Sequence, residues 1–413
     1  MIFKNARIVS QSDGFSGEVF DIEVRNETIV AIAPKIEQAG SETIDLQGNL
    51  VLPSFVDMHV HFREPGFEQK ETIATGVRAA IRGGFSTVCP MANTNPVNDN
   101  IDVLNYCLGK IKKLEYPVCV YPIVAVTKNL ESKELTDLVN LKKAGAIAFS
   151  DDGLPVRDMR LLRKAMEIAK DNDLLIISHA EDLTIPDKSA ISEVLAVARE
   201  LELLRTVNCR YHFAHISTER SLELIRQAKA DGINVTCETA PHYFTLSVLD
   251  IPSREEGRYK MNPPLRTRED IDAIIRALKD GVIDVIATDH APHTIEEKKR
   301  EWDKSPFGIV GLETALSLSL TYLVKKNNLS LSDLVEKMCY NPAKILKVDN
   351  KHGHLTVGRK ADFTVIDEEA KYRVHGSDFL SKCKITCYED MEVQGKVIKT
   401  IIGGKIYDNK FSD

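Results

Sequence analysis

His59 and His61 stand one residue apart at the end of an apolar run, Phe55-Val56-Asp57-Met58-His59. Side chains on a strand repeat every two residues, so both imidazoles share one face and can grip one metal ion. Alone, such a pair is a weak signal. Further polar groups end other apolar runs: Asp151-Asp152-Gly153, Ser178-His179-Ala180-Glu181-Asp182, His215-Ile216-Ser217 and Thr288-Asp289-His290-Ala291-Pro292-His293. Buried charges are costly unless paired or metal-bound, so clusters on five strand ends rarely serve packing. The set is His and Asp without Cys, which favours Zn(II), with Mn or Co as alternatives, and a catalytic rather than a structural site. His59, His61, His179, His215, Asp289 and one of Asp151 and Asp152 are too many ligands for one tetrahedral zinc. They suit two metals sharing a hydroxide, which is a nucleophile at neutral pH beside a Lewis acid for a carbonyl.

The elements that must position these groups alternate. Strand-like runs at 55–59, 86–91, 118–126, 146–150, 174–179, 211–216, 234–237 and 285–288 are separated by helical patterns at 71–83, 100–113, 132–144, 158–172, 192–206, 218–231 and 268–281. This α/β alternation predicts a (β/α)8 TIM-type barrel, whose carboxyl strand ends gather the clusters around one mouth. A doubly wound open sheet is the alternative, weakened by the absence of GxGxxG after the first of these strands. The chain ends read differently. Short strands with Gly, Asn and Ser turns occupy 2–9, 21–25, 28–32 and 42–46, and again 358–367 and 396–407, where Gly403-Gly404 signals a hairpin. Residues 1–52 and 346–413 therefore predict one small composite β-sandwich module, with the barrel, 53–345, inserted between its halves.

Composition bounds the function. The 413 residues are 43% hydrophobic and 28% charged, values of a soluble globular enzyme that exclude a disordered or collagen-like chain. A net charge of −7 gives no help in binding nucleic acid or anionic lipid. Eight cysteines without a CxxC pair read as buried free thiols in a reducing cytosol. No secretory h-region opens the chain, and the longest apolar stretch, about 117–126, is too short to span a bilayer. A cytoplasmic enzyme with a small-molecule substrate, and with neither nucleic acid nor membrane as partner, is the expectation.

The segment Asp57-Met58-His59-Val60-His61-Phe62-Arg63-Glu64-Pro65-Gly66 resembles the opening signature of the amidohydrolase superfamily, and specifically that of the class I dihydroorotases. The resemblance continues through Met91-Ala92-Asn93-Thr94-Asn95-Pro96, Phe149-Ser150-Asp151-Asp152-Gly153, His215-Ile216-Ser217-Thr218 and Lys260-Met261-Asn262-Pro263-Pro264-Leu265-Arg266. It ends with Ala287-Thr288-Asp289-His290-Ala291-Pro292-His293, Pro306-Phe307-Gly308 and Asn341-Pro342-Ala343, and so covers essentially the whole chain. It implies reversible, zinc-dependent cyclisation of N-carbamoyl-L-aspartate to L-dihydroorotate in pyrimidine biosynthesis. His59 and His61 would hold one zinc and His179 and His215 the other, with Asp152 rather than Asp151 bridging them. A shared hydroxide would attack the ring amide. Asp289 would ligate metal and serve as general base and acid. The resemblance gives Arg63, Asn93 and His293 to the substrate carboxylate and Asn262 to the ring, and extends the substrate contacts to Pro306, Phe307 and Gly308. A homodimer, associated with a carbamoyltransferase, is the expected assembly.

Simpler readings stand beside these. A guanidinium recognises a carboxylate bidentately, and Arg63 has the strand parity of His59 and His61, but a salt-bridged arginine is the plain rival. Asn93 before Pro96 has a rival role in a turn, and Asn262 before Pro263-Pro264 one in shaping a loop. His242 is expected to be structural or to support the site. His290 is expected to be structural. His212 should face the other side of its strand from His215, with no partner identified. His352, His354 and His375 should lie at the surface, and Lys298-Lys299-Arg300 should form a solvated face. Asp57, on the face of His59, is a candidate partner for an imidazole. Three features depart from the family pattern: Ala92 stands before Asn93 where proline is common, an aspartate replaces the bridging lysine of many related enzymes, and only 36 positions separate His179 from His215. Rival functions are a related cyclic amidase, such as an allantoinase or hydantoinase, or a non-catalytic partner subunit.

Overall fold

The computed structural model describes residues 1–253 and 257–408. In chain order its strands are β1 (Ile2–Ser10), β2 (Phe15–Arg25), β3 (Thr28–Ala33), β4 (Thr43–Asp45), β5 (Leu50–Pro53), β6 (Phe55–Val60), β7 (Phe85–Pro90) and β8 (Cys119–Val120). They continue as β9 (Leu175–Ser178), β10 (Arg210–Phe213), β11 (Val235–Thr239), β12 (Val285–Ile286), β13 (Phe363–Arg373), β14 (Glu392–Ile402) and β15 (Lys405–Asp408). The helices that matter for the site are α1 (Ile73–Gly83), α2 (Ile101–Ile111), α3 (Leu138–Ala144), α4 (Met159–Asp171), α5 (Ala190–Val207), α6 (Glu219–Ala230), α7 (Pro241–Thr245) and α8 (Arg268–Lys279).

Strands from both chain ends meet in one sheet, ordered β15-β14-β13-β5-β1-β2-β3, with β4 on β1. Glycines 403 and 404 make the β14–β15 turn, since Ile402 pairs with Lys405. The middle of the chain forms two parallel sheets, β6-β7-β8 and β12-β11-β10-β9. Parallel neighbours need crossovers, which the helices supply, and strands covered on both faces read as continuous apolar runs. Hydrogen bonds run between these two sheets on both sides. His61 N–H donates to His290 O at 2.7 Å, while Phe149 donates to Leu175 O and Ser150 to Val124 O. Val56, Met58, Cys89, Ile123, Ala148, Leu175, Ile177, Ala214 and Val285 pack together as one apolar cluster enclosed by these strands, with Leu346 and Val348 joining it.

Three expected strands are shorter than their apolar runs. The run 118–126 is a regular strand only over Cys119–Val120; Pro122 has no N–H to donate, yet single bonds to β7 continue on either side of it, from Tyr121 N to Val88 O and from Ile123 N to Pro90 O. The run 146–150 pairs only around Phe149, and 285–288 narrows to Val285–Ile286. At the other end, Gly358 adopts a positive φ of 87°, so the expected strand from 358 starts only at Phe363. All eight cysteines are free, and seven of them are buried. No helix among the described residues is long and apolar enough to cross a membrane.

The outer sheet is stitched to the first crossover helix. Thr364 Oγ1 donates to Gly84 O at 2.8 Å and Thr400 Oγ1 to Ile81 O at 2.7 Å, satisfying carbonyls at the C-terminal end of α1. Phe55 and Phe85 pack edge to face beneath it, 5.3 Å between centroids. Gly84 ends the helix at φ 90°, the left-handed cap that glycine adopts without strain. Gly83 is required by close approach instead, because a Cβ there would lie 2.1 Å from Leu312 O. Backbone cannot yield as a side chain does, so Gly83→Ala is expected to cost about 2–3 kcal/mol. Chemical denaturation checks this, and a loss below about 0.5 kcal/mol would show that the approach is not tight.

Candidate metal centre

The cluster residues sit at or just past the carboxyl ends of their strands. His59 lies in β6 and His61 follows it. His215 and Asp289 follow β10 and β12, and both take positive φ, 34° and 48°. Non-glycine residues in that region cost on the order of 1–3 kcal/mol and gather at functional sites. The turn re-aims each side chain after its strand ends. This overturns the parity expectation for His212, which bonds toward His59 rather than away from the cluster.

Asp152 sits among four imidazoles. Its Oδ1 lies 3.4 Å from His59 Nε2, 3.5 Å from His179 Nδ1 and 3.4 Å from His215 Nε2, and its Oδ2 lies 3.3 Å from His61 Nε2. His179 Nδ1 and His215 Nε2 converge to 2.8 Å. Asp289 Oδ1 stands 3.1 Å from His61 Nε2 and 3.5 Å from His59 Nε2. Two groups, His59/His61/Asp152 and Asp152/His179/His215, each bring three ligand atoms within 4.8 Å of one another and could each hold a metal ion. His59 Nε2 and Asp152 Oδ1 are buried without a hydrogen-bond partner. Buried polar atoms are almost always satisfied, so an inward-facing lone pair and a carboxylate oxygen left open together fit a cation. Asp151 is used differently: its carboxylate accepts from the Thr127 N–H at 2.9 Å and from the Thr127 hydroxyl.

The far nitrogens of three imidazoles each meet an oxygen. His59 Nδ1 lies 2.6 Å from Glu238 Oε1, His61 Nδ1 2.9 Å from Asn93 Oδ1 and His179 Nε2 2.8 Å from Glu181 Oε2. Each far N–H is thereby donated outward, which leaves the near nitrogen its lone pair for a metal. Glu181 and Glu238 were missed as supporting residues in the sequence. Glu181 had a signal, in the polar ending Ser178-His179-Ala180-Glu181-Asp182, whereas Glu238 lies beside none of the recognised polar clusters. Burial opposes charge on His59, yet Asp152, Asp289 and Glu238 together hold its pKa well above the usual value. Burial likewise opposes ionisation of Asp289, but His59 and the hydrogen bond from His61 outweigh it and hold the carboxyl below its normal range.

Around this cluster, Arg63 is buried; its Nε donates to Pro292 O at 3.1 Å, and its Nη2 stands 3.3 Å from His293 Nε2. His293 Nε2 lies 2.7 Å from Phe307 O and Nδ1 3.3 Å from Lys70 Nζ. Burial, with Arg63, Lys70 and Lys298, pushes the His293 pKa down to about 2, so the ring is neutral and donates to Phe307. Arg63 Nη2 thus faces another donor, and among the described residues Arg63 has no ion pair. Asn93 supports His61 while its Nδ2 reaches Asp152 O at 3.4 Å. Asn262 Nδ2 lies 2.8 Å from Glu181 Oε2 and 3.0 Å from His179 Nε2. Phe307 is exposed, with Lys188 and Lys260 ammonium groups over its ring at 5.1 and 4.7 Å. Gly308, at φ 130°, leaves no room for a Cβ, which would lie 2.7 Å from Ala291 O. Pro306 O accepts from Lys298 Nζ at 3.1 Å.

Several expectations for other residues are corrected. Lys298 is buried, and burial pushes its pKa down to about 8; its ammonium bonds Lys260 O and Pro306 O and ties the Phe307 loop down. Asp57 serves no imidazole: it accepts from the Thr288 hydroxyl at 2.6 Å and from the backbone of His59 and Thr288. His352 is buried against the Tyr121 hydroxyl at 3.0 Å, and His354 is half-buried on Asp13. His375 is exposed. His290 accepts backbone N–H groups from Gly311 and Leu312 at Nδ1. His242, on α7, is buried with its pKa pushed down to about 4 by burial.

Comparison with known proteins agrees with this geometry. Residues 50–407 match the amidohydrolase family. The chain is 42% identical over 424 residues to a dihydroorotase of Acetivibrio thermocellus, covering 98% of each chain. It is 43% identical to a dihydroorotase of Geobacter metallireducens, covering 98% of this chain and 99% of that one. Among solved structures, an L-hydantoinase (dihydropyrimidinase) from Arthrobacter aurescens superposes with a TM-score of 0.89 at 28% identity, covering 100% of this chain and 96% of that one. A D-hydantoinase (dihydropyrimidinase) from Thermus sp. gives 0.87 at 25% identity, again with 100% and 96% covered. With matches that run almost end to end and take in every strand end of the cluster, the chain belongs to the amidohydrolase family.

Proposed function

We propose that the protein is a zinc-dependent dihydroorotase that reversibly cyclises N-carbamoyl-L-aspartate to L-dihydroorotate, with loss of water. Arg63 carries this reading. A buried guanidinium without an ion pair, beside a His/Asp cluster, is stabilised by an anionic ligand, and dihydroorotate brings a carboxylate to that place. The near-full-length dihydroorotase relatives support the same substrate. The hydantoinase fold likeness keeps a related cyclic amidase as the second reading.

His59, His61, Asp152, His179, His215 and Asp289 would hold two zinc ions, with Asp152 between them. Bound there, zinc would make water a better nucleophile and polarise the ring carbonyl. The chain's own residues do the rest. Asp289, kept ionised beside His61, takes a proton from the water that attacks the ring amide carbon. It returns that proton to the ring nitrogen as the C–N bond breaks, and the reverse sequence closes the ring. Arg63 orients the substrate carboxylate, and Asn262 contacts the ring. The Phe307 loop, held by His293 and Lys298, limits access of solvent water.

In architecture, we propose that the parallel strands close as one (β/α)8 barrel over 53–345. Residues 1–52 and 346–413 would fold beside it as a composite β-sandwich. The hydrogen bonds from His61 to His290 and around Phe149, on both sides of the two sheets, support this closure.

Four outcomes are expected. Asp289→Asn lowers dihydroorotate hydrolysis by about 10²–10⁴-fold while circular dichroism stays unchanged. Near-normal turnover in that variant removes the proton-transfer role. Zinc at about 100 times its Kd raises stability by about 2.7 kcal/mol over chelated protein, and an unchanged melting temperature would count against metal binding and revive the partner-subunit reading. Dihydroorotate, hydantoin and allantoin assayed side by side should give turnover with dihydroorotate alone. Arg63→Lys should raise KM for dihydroorotate at least about tenfold, because one ammonium cannot replace the bidentate fork. Faster turnover of hydantoin than of dihydroorotate would favour the second reading.

A further inference from the structure

Glu238, at the end of β11, is held from two sides. Its Oε1 lies 2.6 Å from His59 Nδ1 and its Oε2 3.1 Å from His212 Nε2. His212 Nδ1 lies 2.8 Å from Thr236 Oγ1. His59, His212 and Glu238 are all buried. Thr236 lines a cavity of about 270 Å³, together with Arg210, Asn234 and Asn341, at the opposite end of the strands from the metal cluster. A single hydrogen-bonded row thus runs through the strand-enclosed core, from that cavity to the metal cluster.

Donor and acceptor chemistry fixes the direction of this row. A carboxylate only accepts, so His59 donates to Glu238 from Nδ1 and His212 donates from Nε2. With Nε2 donating to Glu238, the Nδ1 lone pair can accept from the Thr236 hydroxyl at 2.8 Å, which is closer than that hydroxyl's other acceptor, Tyr211 O at 3.4 Å. His59 is left with its lone pair on Nε2, the nitrogen that faces Asp152 and Asp289 and has no other partner. The two imidazoles are the side-chain partners that hold the Glu238 carboxylate, and apolar residues such as Ile177, Ala214 and Val285 fill the same core. Without His212, Glu238 Oε2 would be buried and unsatisfied, and the carboxylate would be free to turn away from His59.

Asp152 is common to both halves of the centre, but the outer support of the second half is separate. His179 is supported by Glu181, which Lys188 and Asn262 hold in place. Nothing in that group touches His212.

Resting on the metal reading above, we propose that His212 is a positioning residue for the metal centre. Through Glu238 it fixes the tautomer and orientation of His59, and so selectively tightens metal binding in the His59/His61 half; Thr236 sets the tautomer of His212. Supporting partners of a metal-bound histidine typically change metal affinity by about 10–100-fold.

The test compares wild type with His212→Leu, His212→Gln and Thr236→Val, all zinc-loaded and then titrated with a chelator. Metal retained per chain is read by elemental analysis and, in cobalt-substituted protein, by visible absorbance. In His212→Leu one of two metal ions should weaken by about 10–100-fold while the other keeps its wild-type affinity. His212→Gln, whose amide N–H can still donate to Glu238, should recover most of the loss, and Thr236→Val should fall between. If His212→Leu does not fold, the order wild type, His212→Gln, Thr236→Val still decides. Equal weakening of both metals, no weakening, or a glutamine variant that is no better than leucine overturns the proposal. Wild-type protein that binds no divalent metal overturns the underlying reading, and this one with it.

Discussion

The structure is organised around the burial of one carboxylate. Asp152 has four imidazoles within 3.5 Å, contributed from β6, from the ends of β9 and β10, and from the residue that follows β6. A carboxylate so removed from water is tolerated only where opposing charge or donors surround it. That demand falls on strands far apart in sequence, so their ends must keep a common level. One apolar cluster does this, drawing Val56 and Met58 from β6, Cys89 from β7, Leu175 and Ile177 from β9 and Val285 from β12 into contact. The positive φ values at His215 and Asp289 are what it costs to bring the last two groups to that level.

The two halves of the cluster are supported by different means. The His59 half leans on Glu238 and His212, deep among apolar side chains. The His179 half leans on Glu181 and then on Lys188 and Asn262, nearer the rim. Lys188 also lies over Phe307, and Asn262 belongs to the segment that Lys298 ties to the same loop. Contacts with a bound molecule at the Phe307 loop are therefore mechanically closer to one half of the cluster than to the other. Arg63 and His293 pack beside the cluster as cation and neutral imidazole, with Glu297 Oε2 3.5 Å from His293 Nδ1.

Much of this was legible in the sequence because its chemistry is local. The HxH spacing on β6, the polar endings of the later strands and the alternation of apolar runs with helical patterns are periodic features. What escaped depends on tertiary placement. That His212 and His215 both turn toward the cluster depends on a backbone turn at His215, which re-aims His215 and which no periodicity encodes. The burial of Lys298 reflects carbonyls of Lys260 and Pro306 that converge from separate loops, so a run of basic residues looked solvated. Asp57 shares a face with His59, yet Thr288 comes closer than any imidazole. The strand expected at 118–126 keeps regular geometry only at Cys119–Val120, although single bonds from Tyr121 and Ile123 to β7 continue beyond it.

The outer sheet places β5 between β1 and β13. The residues of β1 to β5 leave the ribosome well before β13, which follows Pro53 only after about 310 further residues. At about 5–20 residues per second that is a delay of about 15–60 s. Through that interval the amino-terminal strands have one bare sheet edge and one uncovered apolar face, including Phe3, Ile8 and Val51. A sheet assembled from strands so far apart in sequence therefore leaves the β5 edge waiting for β13, and nascent-chain quality depends on keeping that edge from other strands until β13 has been made.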